Sequence, residues 1–253
     1  MNRFSRGTSI SEWAGFVLGV TWSPLFVATS AMRSARTFHP CGDLVDARAE
    51  IDAEVTAQDR PLAERLTGNA LLRFSDALTK GKARWPDVLG CALRIYGAAG
   101  NADQDLLFAT IKRPWTMLFA PLTTRVHSYL ANDYFAVSPF SAPERPFFYL
   151  RLQSFPATTS EEVGGSSTAE KRRARLAHAV EAGDTRLRLG VSESPFGPFR
   201  PLISVRMLTL QPSDPPDLRF DPFLNARAVT PRGFIHALRR GVYSASQLAR
   251  PGN

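Results

Sequence analysis

Cysteine and histidine are scarce in this sequence, which has two cysteines and four histidines in 253 residues. Cys41 and Cys91 form neither a Cys-x-x-Cys pair nor a spacing typical of zinc ligands. A disulfide framework and a structural zinc site are therefore poor explanations of this chain. Its cysteine usage fits a reducing, cytoplasmic compartment best.

Long apolar runs are also nearly lacking. Trp13–Met32 is a stretch of 20 residues without a charge, long enough on paper to cross a bilayer. Glycine, serine, threonine and Pro24 dilute it, and Glu12 just upstream fits poorly with a secretory signal peptide. We expect residues 1–35 to form an apolar arm used for docking or oligomerisation. Membrane association and a cleaved signal are the alternatives.

The charge of the chain is one-sided, with 31 Lys and Arg against 23 Asp and Glu and a net charge of +8. Most of the excess is arginine, which suits bidentate, partly buried carboxylate recognition better than lysine does. The basic stretch Lys171–Arg175 is expected to open a solvated helix. Because no aromatic stacking pattern accompanies it, nucleic-acid binding is not predicted.

Short alternating runs separated by turn residues dominate the chain after Arg36, and we find no internal repeat. Such runs predict an α+β fold built on an antiparallel β-barrel of roughly eight strands with flanking helices. The candidate strands are Leu44–Ile51, Ala70–Ser75, Leu89–Tyr96, Asp105–Thr110, Phe147–Gln153, Thr185–Val191 and Leu202–Leu210. Between them the sequence predicts a hairpin loop at Gly97–Gln104, a short helical excursion at Pro121–Tyr134 and a mobile loop at Pro156–Thr168.

A terminal helix is predicted from Thr230 and Pro231, an N-cap and first-turn signal, to about Arg250. Arg239 lies four residues before Tyr243 and Arg250 lies seven after it, so the three side chains share one face of that helix. A guanidinium there can hold the phenol as a phenolate, a hard anionic ligand for ferric iron. The plain alternative is a surface tyrosine beside two solvated arginines.

Several of these residues resemble motifs of the catalases and their smaller relatives. The family's distal Arg-x-x-His-x-x-Gly is matched at 36–42, its Arg-Phe-Ser at 73–75, and its proximal spacing of Arg, Tyr and Arg at 239–250. An intervening stretch of the family is echoed by Asp87, Gly90, Ala92, Tyr96, Gly100, Asn101, Asp105 and Leu106. The resemblance implies that residues 36–253 form a haem-binding domain, with haem b between the barrel wall and the C-terminal helix.

The resemblance also implies roles for individual residues. Tyr243 would ligate the haem iron, a ligand type known for catalase, and Arg239 would keep it ionised. His39 would be the distal acid/base, with Ser75 orienting its ring. The haem propionates would pair with Arg36, Arg73 and Arg250.

One departure from the family pattern concerns the distal asparagine. This sequence has Phe108-Ala109-Thr110 there, so Ala109 replaces the amide and the Thr110 hydroxyl is the nearest polar group. We therefore expect a peroxidase or an organic-hydroperoxide enzyme, of the small catalase-related or allene-oxide-synthase type, that is weak as a true catalase. The alternatives are a haem-binding or sensing protein with little turnover, and a membrane-associated lipid-hydroperoxide enzyme that uses Trp13–Met32. Each of these proteins could also form a homo-oligomer.

Overall fold

The computed structural model describes the chain from Gly42 to Arg232 with gaps. The described residues are 42–77, 86–97, 103–112, 119–136, 139–155, 168–183, 185–213, 215, 217–221 and 224–232. Those from Gly42 to Thr230 belong to one compact unit, His39–Thr230. The other unit, 1–38 with 231–253, lies almost wholly outside the described residues, so the boundary expected at residue 35 stays a prediction.

Ten strands and three helices lie in the described part of the chain. The strands are β1 (Gly42–Ile51), β2 (Gly68–Asp76), β3 (Leu89–Ile95), β4 (Gln104–Ala109), β5 (Tyr134–Phe135), β6 (Phe140–Ala142), β7 (Arg145–Phe155), β8 (Arg186–Ser192), β9 (Arg200–Leu210) and β10 (Thr230–Pro231). The helices are α1 (Arg60–Arg65), α2 (Ala120–Thr123) and α3 (Thr168–Glu181).

Eight of these strands close into an antiparallel barrel. The order around the ring is β1, β2, β3, β4, β5, β7, β8 and β9, and β9 pairs again with β1. The seven strands expected from the alternating pattern are all present, which confirms the predicted barrel. The two-residue β5, which completes the ring between β4 and β7, is too short to have been recognised from alternation.

The barrel interior is filled by apolar side chains from alternate positions of the strands, as the pleat requires. Phe74 of β2 is fully buried, and its ring stacks on that of Tyr129 with a centroid distance of 5.0 Å. The ring centroid of Tyr134, in β5, lies 6.1 Å from that of Phe74. The Tyr134 hydroxyl donates a hydrogen bond to Tyr129 O at 2.8 Å. Large aromatic residues therefore fix the core beneath β2.

The helices α1 and α3 complete the core near opposite ends of the barrel. Leu62 and Leu66, in α1 and at its C-terminal end, are buried in the core, as are Leu176 and Val180 of α3. The basic stretch Lys171–Arg175 lies in α3 as expected, but it is not wholly solvated. Its second residue, an arginine, is buried and paired with a core carboxylate.

Two further sequence expectations need correction. Thr230 and Pro231 form β10, which neighbours β6, instead of the first turn of a helix. Gln104 Nε2 donates to Val229 O at 3.2 Å and Asn225 Nδ2 donates to Thr230 Oγ1 at 3.1 Å, so tertiary hydrogen bonds hold this segment extended. In the predicted helical excursion, only α2 is helical. The predicted terminal helix beyond Arg232 and the predicted loop at 156–167 lie outside the described residues.

No helix in the described ranges is long and apolar enough to cross a membrane. The longest of them, α3, has 14 residues and carries several charges, whereas a span needs about 20 apolar residues. Trp13–Met32 lies outside the described residues, so its membrane and docking roles stay predictions.

Candidate functional site

Three of the sequence motifs meet in one row across the barrel wall. Gly42 of β1 pairs with Ser75 of β2, Ser75 with Gly90 of β3, and Gly90 with Ala109 of β4. Phe74 points into the core, and successive side chains of a strand alternate. These four positions therefore face outward, and we call them the outer row.

Arg73 lies in the adjacent row of the same face. In the strand register it is opposite Ala92 of β3, and Ala92 is opposite Leu107 of β4. Its side chain is buried, with 7% exposed. A Cβ at position 42 would lie 2.9 Å from Arg73 Cζ and 2.6 Å from the Phe74 carbonyl oxygen. Only glycine leaves room at that position, which explains why the motif ends on Gly42.

The outer face is covered although it points away from the core. Ser75 is 4% exposed and Ala109 is 8% exposed. Ala109 packs with Val88 and with Ala120 of α2 in a small apolar cluster of its own. The outer row is therefore covered at Ser75 and Ala109, and the apolar cluster around Ala109 is distinct from the barrel core.

At the end of β3 near Ile95, the outer face is covered by residues 217–221 of the same chain. Arg94 donates to both carboxylate oxygens of Asp105 at 2.7 Å, and its Nη2 also donates to Arg219 O at 2.5 Å. Its guanidinium lies 4.9 Å from the centroid of the Phe220 ring. The hydrogen bonds to Asp105 raise the pKa of Arg94. Arg94 and Asp105 thus hold the 217–221 segment against the barrel.

Asp87, a motif residue without an assigned role in the sequence analysis, holds the entry to β3. It is fully buried, and its Oδ1 accepts hydrogen bonds from Val88 N at 2.6 Å and from Ala77 N at 3.2 Å. A carboxylate that accepts backbone N–H groups ties two chain segments together. Asp87 therefore positions the strands that carry Ser75 and Gly90.

Thr110 lies one residue beyond β4 and outside the outer row. Its Oγ1 accepts a hydrogen bond from Leu89 N at 3.1 Å and is bonded to Thr124 Oγ1 at 2.7 Å. Thr124 Oγ1 in turn donates to Ala120 O at 2.8 Å. These bonds tie α2 to the barrel wall and occupy the hydroxyl. The catalytic role suggested for Thr110 stays a prediction.

Of the eight predicted site residues, the structure brings Arg73 and Ser75 together on the outer face. No hydrogen-bond partner of Ser75 Oγ is found among the described residues. The described ranges also hold no group of three or more His, Cys, Asp and Glu side chains arranged for a metal ion. Thr110 lies outside the outer row, as described above, and the other five predicted residues lie outside the described part of the chain and stay predictions: Arg36, His39, Arg239, Tyr243 and Arg250.

The architecture around this face can be compared with known proteins. No protein-family model and no curated protein sequence matches the chain. Among solved structures it is similar to the crystal structure of a fungal catalase at 1.9 Å, with a TM-score of 0.59 and 14% sequence identity over 85% of this chain. The barrel is catalase-like. At this identity the similarity concerns the fold, and the matched region spans 59% of the fungal catalase chain.

Several arginines serve buried carboxylates of the protein itself, which the sequence analysis missed. Arg172 pairs with Asp76 at 2.9 Å near the α3 end of the barrel. At the other end, Asp59 accepts hydrogen bonds from Arg145 at 2.5 Å and Arg200 at 2.8 Å. Burial alone would raise the pKa of Asp59, but hydrogen bonds from Arg200, Thr56 and Arg145 lower it to about 2. The excess of arginine is therefore only partly available for a cofactor.

Proposed function

We propose that this protein is a haem-dependent peroxidase, or an enzyme that metabolises organic hydroperoxides, built on the catalase-like barrel. The observation that carries the proposal is the outer row. Gly42, Ser75 and Gly90 are far apart in the sequence and were matched to catalase-family motifs by residue type and spacing, and they come into register on one face of the barrel. A packed core does not require this arrangement, because the side chains concerned point away from it.

The chemistry of the outer face fits a haem. A flat macrocycle needs a wall without large side chains, and the outer row consists of glycine, serine, glycine and alanine. The buried guanidinium of Arg73 beside it suits a propionate, because arginine binds carboxylates in a fixed, bidentate geometry. Arg36 and Arg250 are proposed as the other propionate partners. Tyr243 is proposed as the axial ligand, with Arg239 holding its phenol oxygen ionised.

When bound, the haem would supply the iron that activates the O–O bond of a peroxide. The residues of this chain would manage the proton. His39 would accept it from one peroxide oxygen and donate it to the other, as a general acid/base. Ser75 would hold the imidazole ring in one orientation by a hydrogen bond, as residues behind a catalytic group often do.

Ala109 favours peroxidase or hydroperoxide chemistry over catalase chemistry. It occupies the outer row where the family has an amide, and its neighbours Val88 and Ala120 are apolar. Among the described residues, the apolar cluster around Ala109 offers no side-chain hydrogen bond to a second, small and polar peroxide molecule. An organic hydroperoxide needs no such bond for its carbon chain. We therefore expect poor oxygen release from hydrogen peroxide.

The decisive experiment is the absorption spectrum of the full chain, purified from cells supplied with a haem precursor. We expect haem b bound with a tyrosinate ligand, and loss or change of that spectrum in Tyr243→Phe because phenylalanine offers no oxygen to iron. Tyr96→Phe is the matched control, since Tyr96 is 38% exposed and remote from the proposed ligand in the sequence. An unchanged spectrum and haem content in Tyr243→Phe would exclude this ligand.

Two further variants separate binding from turnover. Arg73→Ala should lower haem retention, because a buried carboxylate then loses its partner at a cost of about 1 to 3 kcal/mol. His39→Ala should retain haem yet lose roughly 10²-fold in peroxide cleavage. If His39→Ala changes no activity with any peroxide and electron donor, the protein is a haem-binding or sensing protein instead.

A further inference from the structure

Phe119 and Leu122 form an exposed apolar pair on one turn at α2. Phe119 is 63% exposed and Leu122 is 53% exposed. Leu122 N donates a hydrogen bond to Phe119 O at 3.0 Å, and residues three apart in a helical turn lie on the same side. Ala120, between them, is buried against Val88 and Ala109. The turn therefore buries its small residue and presents its two large apolar ones to solvent.

Hydrogen bonds hold this turn in place. Thr124, buried at 6% exposure, donates from Oγ1 to Ala120 O and is bonded to the Thr110 hydroxyl. Thr124 N also donates to Ala120 O, at 3.1 Å. Exposing two large apolar side chains on an anchored turn costs free energy in water. Adjoining exposed apolar side chains are the kind of surface at which proteins contact membranes or other proteins.

The chain segment that carries the pair is positively charged. From residue 106 to residue 132 the sequence contains no aspartate or glutamate. Lys112 and Arg125 lie in this stretch and both are exposed. The next acidic residue, Asp133, lies 3.9 Å from Arg151 and is thereby partly neutralised. The chain on both sides of the pair thus carries exposed cations and no acidic residue.

We propose that Lys112, Phe119, Leu122 and Arg125 form a docking surface for anionic lipid membranes. Exposed apolar side chains with flanking cations are the combination that binds the headgroup boundary of such membranes. The membrane would then lie beside the apolar cluster that adjoins the outer row. This inference does not depend on the proposed haem chemistry, because vesicle binding can be measured whatever the protein catalyses.

The test is flotation of the full chain with vesicles of phosphatidylcholine alone and of an equimolar mixture with phosphatidylglycerol. The wild type should float with the anionic vesicles and bind less at high salt. Phe119→Ser with Leu122→Ser should reduce the partition coefficient about tenfold, from the loss of buried apolar area. Arg125→Gln should reduce it about fivefold, as expected for one cation near an anionic surface.

The matched control is Phe196→Ser with Leu208→Ser. Phe196 is 61% exposed and Leu208 is 44% exposed, so the control removes similar apolar surface elsewhere. It should bind vesicles like the wild type, and all variants should keep the wild-type unfolding midpoint because the sites are exposed. If Phe119→Ser with Leu122→Ser is too unstable to use, Arg125→Gln decides alone.

Three outcomes would overturn the proposal. The wild type could fail to float with either vesicle type. The Phe119/Leu122 variant could float as well as the wild type, which would assign binding to another part of the chain such as 13–32. Finally, that variant could dissociate an oligomer of the wild type in light scattering without any effect on vesicles. A second copy of the chain would then be the occupant of this surface.

Discussion

The two faces of β2, β3 and β4 differ in what covers them: the inner face is buried throughout, whereas the outer face is buried at Ser75, Gly90 and Ala109 and half-buried at Ala92, Arg94 and Leu107. The inner face carries Phe74, Cys91 and Phe108, which are large or apolar and fill the barrel. Burial raises the pKa of the Cys91 thiol, so this cysteine stays protonated and inert. The outer face carries small residues and a guanidinium. Packing alone explains the inner set, whereas the outer set is what a flat, anionic ligand would need.

The largest effect should come from the inner face. Phe74→Ala should lower the free energy of unfolding by about 3 to 5 kcal/mol, because it leaves a cavity beneath Tyr129 and Tyr134. Phe147→Ala, at a position 47% exposed, is the control and should cost far less. Urea unfolding followed by circular dichroism measures both. Equal losses in the two variants would mean that β2 is not the centre of the core.

The second effect concerns the buried carboxylate of Asp59, which pairs with Arg145 and Arg200 at one end of the barrel. Like the inner face, this ion pair stabilises the fold. The folded-state pKa of Asp59 is about 2, below the value of about 3.9 in an unfolded chain. The contribution of Asp59 to the free energy of unfolding is therefore complete above about pH 5. It falls by about 2 kcal/mol as the pH drops to 2. Unfolding curves at stepped pH measure this loss.

Asp59→Asn provides the comparison for that pH series. The variant should be less stable than the wild type at neutral pH, since Arg145 and Arg200 lose their shared anion. The stability difference between the two proteins should shrink as the pH falls from about 5 to 2. A difference that stays constant over this range would show that Asp59 does not titrate as its hydrogen bonds indicate.

A third effect belongs to the outer face alone. Ala109→Asn places an amide in the outer row, and we expect about tenfold faster oxygen release from hydrogen peroxide, as for one added hydrogen bond of about 1.4 kcal/mol. Oxidation of a donor should change less. Ala57→Asn, in the exposed turn before α1, serves as the control. Oxygen release by the wild type at the rate of a full catalase would make the missing amide irrelevant.

The smallest effect on stability should come from Ser75→Ala. The change removes a hydroxyl without a cavity, and we expect a loss below about 1 kcal/mol in unfolding free energy. If Ser75 orients His39 as proposed, haem content should stay the same and the pH dependence of peroxide cleavage should shift, because the imidazole ring would lose its orienting partner. An unchanged pH profile would remove Ser75 from the proposed site and leave it a wall residue.

Much of the barrel was predictable because its strands are long and alternate cleanly. The alternation of apolar and polar side chains along a strand depends only on neighbouring residues, so the sequence displays it directly. The short β5 and β6 have two and three residues, too few for a period to be visible. Thr230 and Pro231 illustrate the opposite error, since a good local helix signal is overridden by hydrogen bonds from Gln104 and Asn225.

The candidate site was predictable only in part. Spacing brought Gly42, Ser75 and Gly90 to attention, but no local pattern says that they share one row, because register depends on which strands pair. The same holds for Thr110, whose hydroxyl is bonded to Thr124, a residue without any sequence signal. The exposed apolar pair at α2, Phe119 and Leu122, was also missed, since exposure is decided by what packs around a turn.

The sequence by itself determined the class of fold, the positions of the long strands and the chemical types available for a site. These follow from side-chain polarity, alternation and turn residues, which act over a few neighbours. Only the tertiary structure decided which arginines form ion pairs with carboxylates of the protein itself. Arg94 pairs with Asp105, Arg172 with Asp76, and Arg145 and Arg200 with Asp59. Ion pairs between residues distant in the chain depend on the closed barrel, because only its closure brings their charges together and removes the water between them.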